Sequence, residues 1–507
     1  MKMRNLCHLL TCLGFSSLAV GVSAQPVLDP QAASSAAVSA PTSSVPLGIQ
    51  QVVERAITSH PEINARYHDF VSSLEDQNIA RAGWRPQVTA QGWVGREWRG
   101  NLPQGQSSYD WNRPGWSLEL RQLIFDGGAT SNRIRQFGFE KLAKYYDLQA
   151  TSNDLANQAV AAYLDVQRYR AMQGLAKENF AMHETTFGQL RERQESGVGR
   201  GVDMEQASGR LSLAQTNLMT ESNNLNDVTQ RFRRVVGDYP PVQMPEVPDV
   251  VGGLPVIGQT QNFEDAIRVS PAILSKQALV QAAQAGTKAA QAAHAPTLDV
   301  RASTGRDREQ PGAASRDIQS SRVQLMLTYP LYRGGADSAR IRQTAAQGYA
   351  AQDVRDYTCR NVQQELAIAW NNIVRLRQQL PFLRDHELST SKVRVAYLQQ
   401  FKIGQRSLLD LLDTENELFD ARRAMINAEY DLKKAEYYWL SLSNQVLQTL
   451  GLTQPHNGSQ PDEHQALVLP DDSLRACMDT LPDTSNLMPV AVKSAAPAGG
   501  VMPSRSN

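Results

Sequence analysis

The sequence predicts a mainly α-helical chain with a small β part, built as an internal duplication. Three observations carry this. Four motifs recur in order at a nearly constant offset. Two 66-residue stretches, 131–196 and 338–403, are nearly free of helix breakers, apart from a few glycines and Pro381. Four short segments alternate apolar and polar residues with the period of a strand.

The chain has 507 residues, with 51 basic and 51 acidic side chains. No basic stripe marks it for nucleic acid. Residues 1–24 read as a signal peptide: Lys2 and Arg4, the apolar run "LCHLLTCLGFSSLAVGV", and an A-x-A-like cut after Ala24. Cys12 falls too early in that run for a lipoprotein box. The segment carries two basic residues and no acid, so the exported chain has a net charge of −2. Residues 25–45, rich in Ala, Ser and Pro, read as a disordered linker. No later stretch is apolar enough for a membrane-spanning helix, though β-barrel strands give a far weaker signal.

The first repeat takes residues 46–245 and the second 246–452. "AITSHPEI" at Ala56 returns as "AIRVSPAI" at Ala266, and "ARAGWRPQVTAQGWVGRE" at Ala80 as "AQAAHAPTLDVRASTGRD" at Ala290. "LIFDGGATSNRIRQ" at Leu123 returns as "PLYRGGADSARIRQ" at Pro330. A glycine turn follows in each copy: Gly197 matches Gly404, Gly201 matches Ser407, and Asp203 matches Asp410.

Each copy opens with a helix, 48–83 and 262–295. Strand pairs follow, 86–95 with 116–124 and 297–305 with 322–330. Polar loops, 99–114 and 306–321, split each pair. Val88, Ala90 and Val94 share one face of the first strand, and Val323, Leu325 and Leu327 one face of the last. These lengths approach the roughly 9–11 residues of a tilted membrane strand. Tryptophans concentrated in 84–116, with Tyr329 and Tyr332, suit a bilayer interface. A soluble hairpin with one dry face is the plainer alternative.

The long helices would run roughly 100 Å each at about 1.5 Å per residue. Val362, Leu366, Ala369, Ile373, Leu376, Leu380 and Leu383 alternate steps of four and three, a coiled-coil seam. Pro381 should kink or locally unwind this helix. Trp370 and Trp439 fall on such seams and read as core. Shorter helices, 202–237 and 407–452, follow the turns. In each copy the two shorter helices, end to end, match the long one in length. Residues 453–507 lack lasting periodicity and read as a disordered tail. After export only Cys359 and Cys477 remain; they allow one disulfide, but with Cys477 in that tail no disulfide framework is expected.

The turn "FKIGQRSLLDLLDTENELFDARR" sets Asp410 and Asp413 among leucines, beside Arg406. Ser407 followed by Asp410 resembles a capping box, and Gly404 would cap the preceding helix. That accounts for Asp410 locally but leaves Asp413 unexplained. Other chemistry finds little support. The eight histidines are scattered without an H-x-x-x-H pair, "GVGRG" lacks the lysine of a phosphate loop, and the two acids lack a cleft. No enzyme and no cofactor is expected.

Four strands cannot close a membrane barrel, and open edges are not tolerated in lipid. Several chains would have to pool them; three would supply twelve. On the duplicated Gly127–Gly128 and Gly334–Gly335 pairs, and above all on "FKIGQRSLLDLLDTENELFDARRAMINAEYD", residues 48–452 resemble the TolC family of outer-membrane efflux and secretion channels. The resemblance implies a homotrimer with a twelve-stranded barrel in the outer membrane of a Gram-negative bacterium. It also implies a periplasmic α-barrel, a periplasmic adaptor protein, and an inner-membrane ABC transporter or other pump. It places the glycine turns (Gly197, Gly404, Ser407) at the periplasmic tip. Asp410 and Asp413 would form pore-facing acidic rings. Arg406 and Asp203 would join links that hold the gate shut. Phe401 stands where some members carry tyrosine, so it can contribute packing only. "LLDLLDTENELFDARR" resembles the type I secretion branch; small-molecule efflux is the alternative, and a periplasmic coiled-coil adaptor a more distant one.

Overall fold

The computed structural model describes residues 48–100, 108–248, 250, 254, 261–309, 316–456, 461–474 and 477. The signal peptide, the linker 25–45 and the tail beyond 477 lie outside them.

Proline divides both opening helices. The first is α1 (Ile49–Ser59) and α2 (Pro61–Ala82), and its second copy is α5 (Gln261–Arg268) and α6 (Pro271–Gln291). Each was expected as one helix. Pro61 and Pro271 instead start α2 and α6, where a missing N–H costs nothing. The preceding His60 and Ser270 are extended, as a residue before proline prefers.

The strands β1 (Gln87–Arg99), β2 (Tyr109–Phe125), β3 (Thr297–Glu309) and β4 (Arg316–Thr328) form one antiparallel sheet in that order. The two repeats therefore join through β2 and β3. Val88, Leu120, Ala302 and Val323 lie in one cross-strand row, so the apolar stripe runs across all four strands. Val88 and Val323 are exposed, as a lipid-facing band requires.

The strands run further than alternation predicts, into the segments expected as polar loops. Cross-strand ion pairs carry the added length. Arg113 pairs with Glu97 and Asp307, Arg96 with Asp110, and Arg306 and Arg308 with Asp317. A periodicity read from hydrophobicity does not register strand held by charge. At the other end β4 stops at Thr328, leaving Tyr329 and Pro330 outside it.

Paired left-handed glycines turn each strand into a long helix. Gly127 and Gly128 (φ 67° and 87°) precede α3 (Ala129–Glu195), and Gly334 and Gly335 (φ 62° and 81°) precede α7 (Ala336–Lys402). Both long helices have 67 residues, and α7 continues through Pro381 without a break. α4 (Gly201–Val236) and α8 (Leu408–Leu442) follow the turns, and α9 (Val446–Thr449) comes after α8 once Asn444 takes a positive φ. α2 and α4 both pack on α3, and α6 and α8 on α7, the end-to-end arrangement expected from the lengths.

Heptad-spaced ion pairs fasten α8 to α7. Glu415, Arg422, Glu429 and Glu436 meet Arg394, Glu387, Arg384 and Arg377 at 2.6, 3.0, 2.8 and 2.7 Å. One apolar core gathers Val53, Ala56, Val160, Tyr163, Phe232 and Leu440. A second holds Trp370 and Trp439, with ring centroids 6.2 Å apart.

The C-terminal segment corrects the expectation of a wholly disordered tail. Residues 461–474 and Cys477 lie across both repeats. Glu463 pairs with Lys141 at 2.8 Å and accepts from Gln77 at 2.6 Å. The Val468 carbonyl accepts from Gln277, and Asp471 pairs with Arg268. A short helix, α10 (Asp471–Leu474), leads to a disulfide between Cys477 and Cys359. Leu474 and both cysteines are buried in the second core. This order comes from contacts on a formed surface and a covalent tie, not from local propensity.

Candidate functional site

The two glycine turns at the end of the rod are built alike. In the first, Gly197 takes φ 80°; its N–H bonds the Gln194 carbonyl and that of Val198 the Arg193 carbonyl. In the second, Gly404 takes φ 77°; its N–H bonds the Phe401 carbonyl and that of Gln405 the Gln400 carbonyl. Both are Schellman caps, which need a left-handed residue just past the helix.

Ser407 caps α8. Its Oγ accepts from the Asp410 N–H at 3.2 Å, and its own N–H donates to Asp410 Oδ2 at 3.4 Å. The reciprocal box forms with aspartate in the place usual for glutamate. Ser407 holds the Asp410 carboxyl below the usual range, and Arg406, with Nη1 3.6 Å from Oδ2, adds to this. Arg406 also donates to Gln400 Oε1 at 3.1 Å and lies 4.4 Å from the Tyr397 ring centroid. Within the chain, its contacts stay on its own turn.

Asp413 is held from the other repeat: Arg210 Nη2 on α4 stands 2.6 Å from its Oδ1. The sequence reading passed over Arg210. Its one signal was position, seven residues beyond Asp203 on the same helix. Asp203 is half-buried in the first turn of α4, with no ion pair among the described residues. Phe401 packs against a small cluster of Leu190, Ala207, Leu408 and Leu412, and Arg193 lies 5.6 Å from its ring centroid. Val198, Val202 and Ile403 stand exposed around the turns.

Near this end, His183 of α3 is buried, and its Nε2 has no hydrogen-bond partner within the described residues. Burial pushes its imidazole below the ordinary value, and Glu415 of α8 works against that shift.

Among the described residues no group of three or more His, Cys, Asp or Glu could hold a metal ion. The arrangement is two capped helix ends, cross-tied by charge, closing a rod that carries a membrane-type sheet at its other end. Known proteins share this architecture. The chain resembles CmeC, an outer-membrane channel of Campylobacter jejuni, with a TM-score of 0.72 at 14% identity, covering 84% of this chain and 90% of that one. It is 28% identical to the outer membrane efflux protein BepC of Brucella suis over 399 residues, covering 78% of this chain and 85% of BepC. It is 23% identical to the proteases secretion protein PrtF of Dickeya chrysanthemi over 423 residues, 78% of this chain and 87% of PrtF. The family model described as "Outer membrane efflux protein" matches residues 52–238 and 263–438, both repeats. The adaptor alternative falls with this match. The chain belongs to the outer membrane efflux protein family, the TolC-like channels of the outer membrane.

Proposed function

We propose that this chain is the exit channel of a tripartite type I secretion system. It would pass protein substrate from an inner-membrane ABC transporter and a periplasmic adaptor to the outside. The observation that carries this reading is the α8 sequence "LLDLLDTENELFDARR", supported by likeness along most of the chain to proteins named for protease secretion. Three chains would pool four strands each into a closed barrel, since a four-stranded sheet has edges that lipid does not tolerate.

In that homotrimer the turns with Gly197, Gly404 and Ser407 form the periplasmic tip. Asp410 and Asp413 line the constriction and favour cations. Arg406 and Asp203 take part in closing links between helix pairs, and Phe401 packs behind them.

Small-molecule efflux is the second reading. The likeness to BepC and to the probable efflux pump protein TtgC of Pseudomonas putida favours it. A mass-spectrometric inventory of surface and medium proteins, with and without the gene, separates the two. Loss of one or a few large proteins supports secretion and identifies the cargo. An unchanged inventory transfers the assignment to efflux.

A further inference from the structure

The duplicated "RIRQ", residues 133–136 and 340–343, has no part in the turns. The fold brings both copies to one place. Arg133 on α3 and Arg340 on α7 line a cleft of about 340 Å³ that crosses α6. The floor is Ala283, Gly286 and Ala290 of α6 with Ala293 just beyond it, all too small to fill the space. A Cβ on Gly286 would stand 3.1 Å from Gln136 Oε1, so only glycine leaves that amide where it lies.

Neither arginine has an acidic partner among the described residues; Arg340 donates to Gln343 at 2.9 Å. Each sits about one turn from the start of its helix, where the dipole adds positive potential and relieves none. Two unpaired guanidinium forks across a small polar-rimmed cleft match the oxygens of a carboxylate or phosphate.

The cleft also has a side. α6 turns Gln277 and Gln281 toward the Val468 carbonyl of the C-terminal segment, at 2.7 and 3.1 Å. Gly286 lies roughly half a turn around the helix from both. A segment lying across the passage side of a closed helical wall would obstruct it. In the trimer proposed above, the C-terminal segment would therefore mark the outside, and the cleft would face the passage.

We propose that the α3–α6–α7 cleft is an oxyanion-binding site, which takes a carboxylate or phosphate group between Arg133 and Arg340. Its ligand is either an acidic group on passing cargo or a small free anion. The cargo source rests on the channel reading; binding itself does not. A passage acidic at the turns would then be basic near the strands.

The test uses the full-length protein in detergent. Its unfolding temperature is compared in chloride and in inorganic phosphate at equal ionic strength, then with a short oligoglutamate peptide. A ligand bound only by the folded state should raise it by about 2 °C or more. R133Q/R340Q should abolish the rise, and R133K/R340K should keep part of it. R135Q/R342Q, in the same motif but outside the cleft, should keep it whole. A rise with phosphate alone assigns the site to a small anion, and one that includes the peptide assigns it to acidic cargo. No rise in the wild type, or one that persists in R133Q/R340Q, overturns the proposal. Neither arm measures transport, so failure of the secretion reading would leave the result intact.

Discussion

Arg210 Nη2 on α4 lies 2.6 Å from Asp413 Oδ1 on α8, so the first repeat holds the acid that the second presents near the turn. Both side chains are partly exposed, and such a pair contributes less than about 1 kcal/mol. Its consequence is electrostatic: the contact offsets the Asp413 charge. R210Q should leave stability nearly unchanged and raise cation preference, read as the reversal potential across a salt gradient in a planar bilayer. D413N should cancel that gain. Equal selectivity in wild type and R210Q would place Asp413 away from the passage.

D410A/D413A should lower cation preference. The Asp410 carboxyl is held below the usual range, chiefly by Ser407, so its charge should persist as pH falls through the ordinary carboxylate titration. Its stabilising contribution is present above the unfolded carboxylate value and lost only as pH falls through the lower folded one. Ser407→Ala removes an N-cap, which typically costs about 1 kcal/mol. It should also move the loss of cation preference to higher pH. A pH profile identical to wild type would separate Asp410 from selectivity.

The Cys359–Cys477 disulfide joins residues 118 positions apart. Exported proteins keep such bonds. Closing a loop of that length constrains the unfolded chain by about 3–5 kcal/mol. C359S/C477S should lower the unfolding temperature and expose residues 461–474 to protease. Reductant should reproduce both effects in wild type and neither in the variant. Resistance of the segment after reduction would show that its polar contacts suffice.

His183 resists protonation in the folded chain, because burial disfavours the imidazolium. The unfolded chain takes the proton at the ordinary value. Stability is therefore full above that value and falls as pH drops between it and the lower folded one. Melting of the wild type from about pH 7.5 to about pH 5 should show this slope. His183→Leu should flatten it, whatever its effect at neutral pH. An equal slope in the variant would assign it to other groups.

Much of the fold was legible because it is periodic. The long helices expected at 131–196 and 338–403 stand at Ala129–Glu195 and Ala336–Lys402, bounded by glycines that mark their own turns. The repeated Ser/His–Pro steps held the break between the opening helices in plain view, at Pro61 and Pro271, but were read as repeats rather than as stops. Of the turn residues, the Ser407–Asp410 box was readable because its partners are three residues apart. Arg210 was not, since its partner lies 203 residues away.

By itself the sequence determined the duplication, the rods, the alternating strands and the capped turns. Each depends on the period of side chains along one element or on backbone freedom at a glycine, and both act over a few residues. Tertiary structure alone decided that β2 pairs with β3, that Arg210 meets Asp413, that Arg133 and Arg340 share a cleft, and that the C-terminal segment fastens to α7. Those choices join residues far apart in the chain, and a charge or a thiol has no period that names its partner before the elements pack.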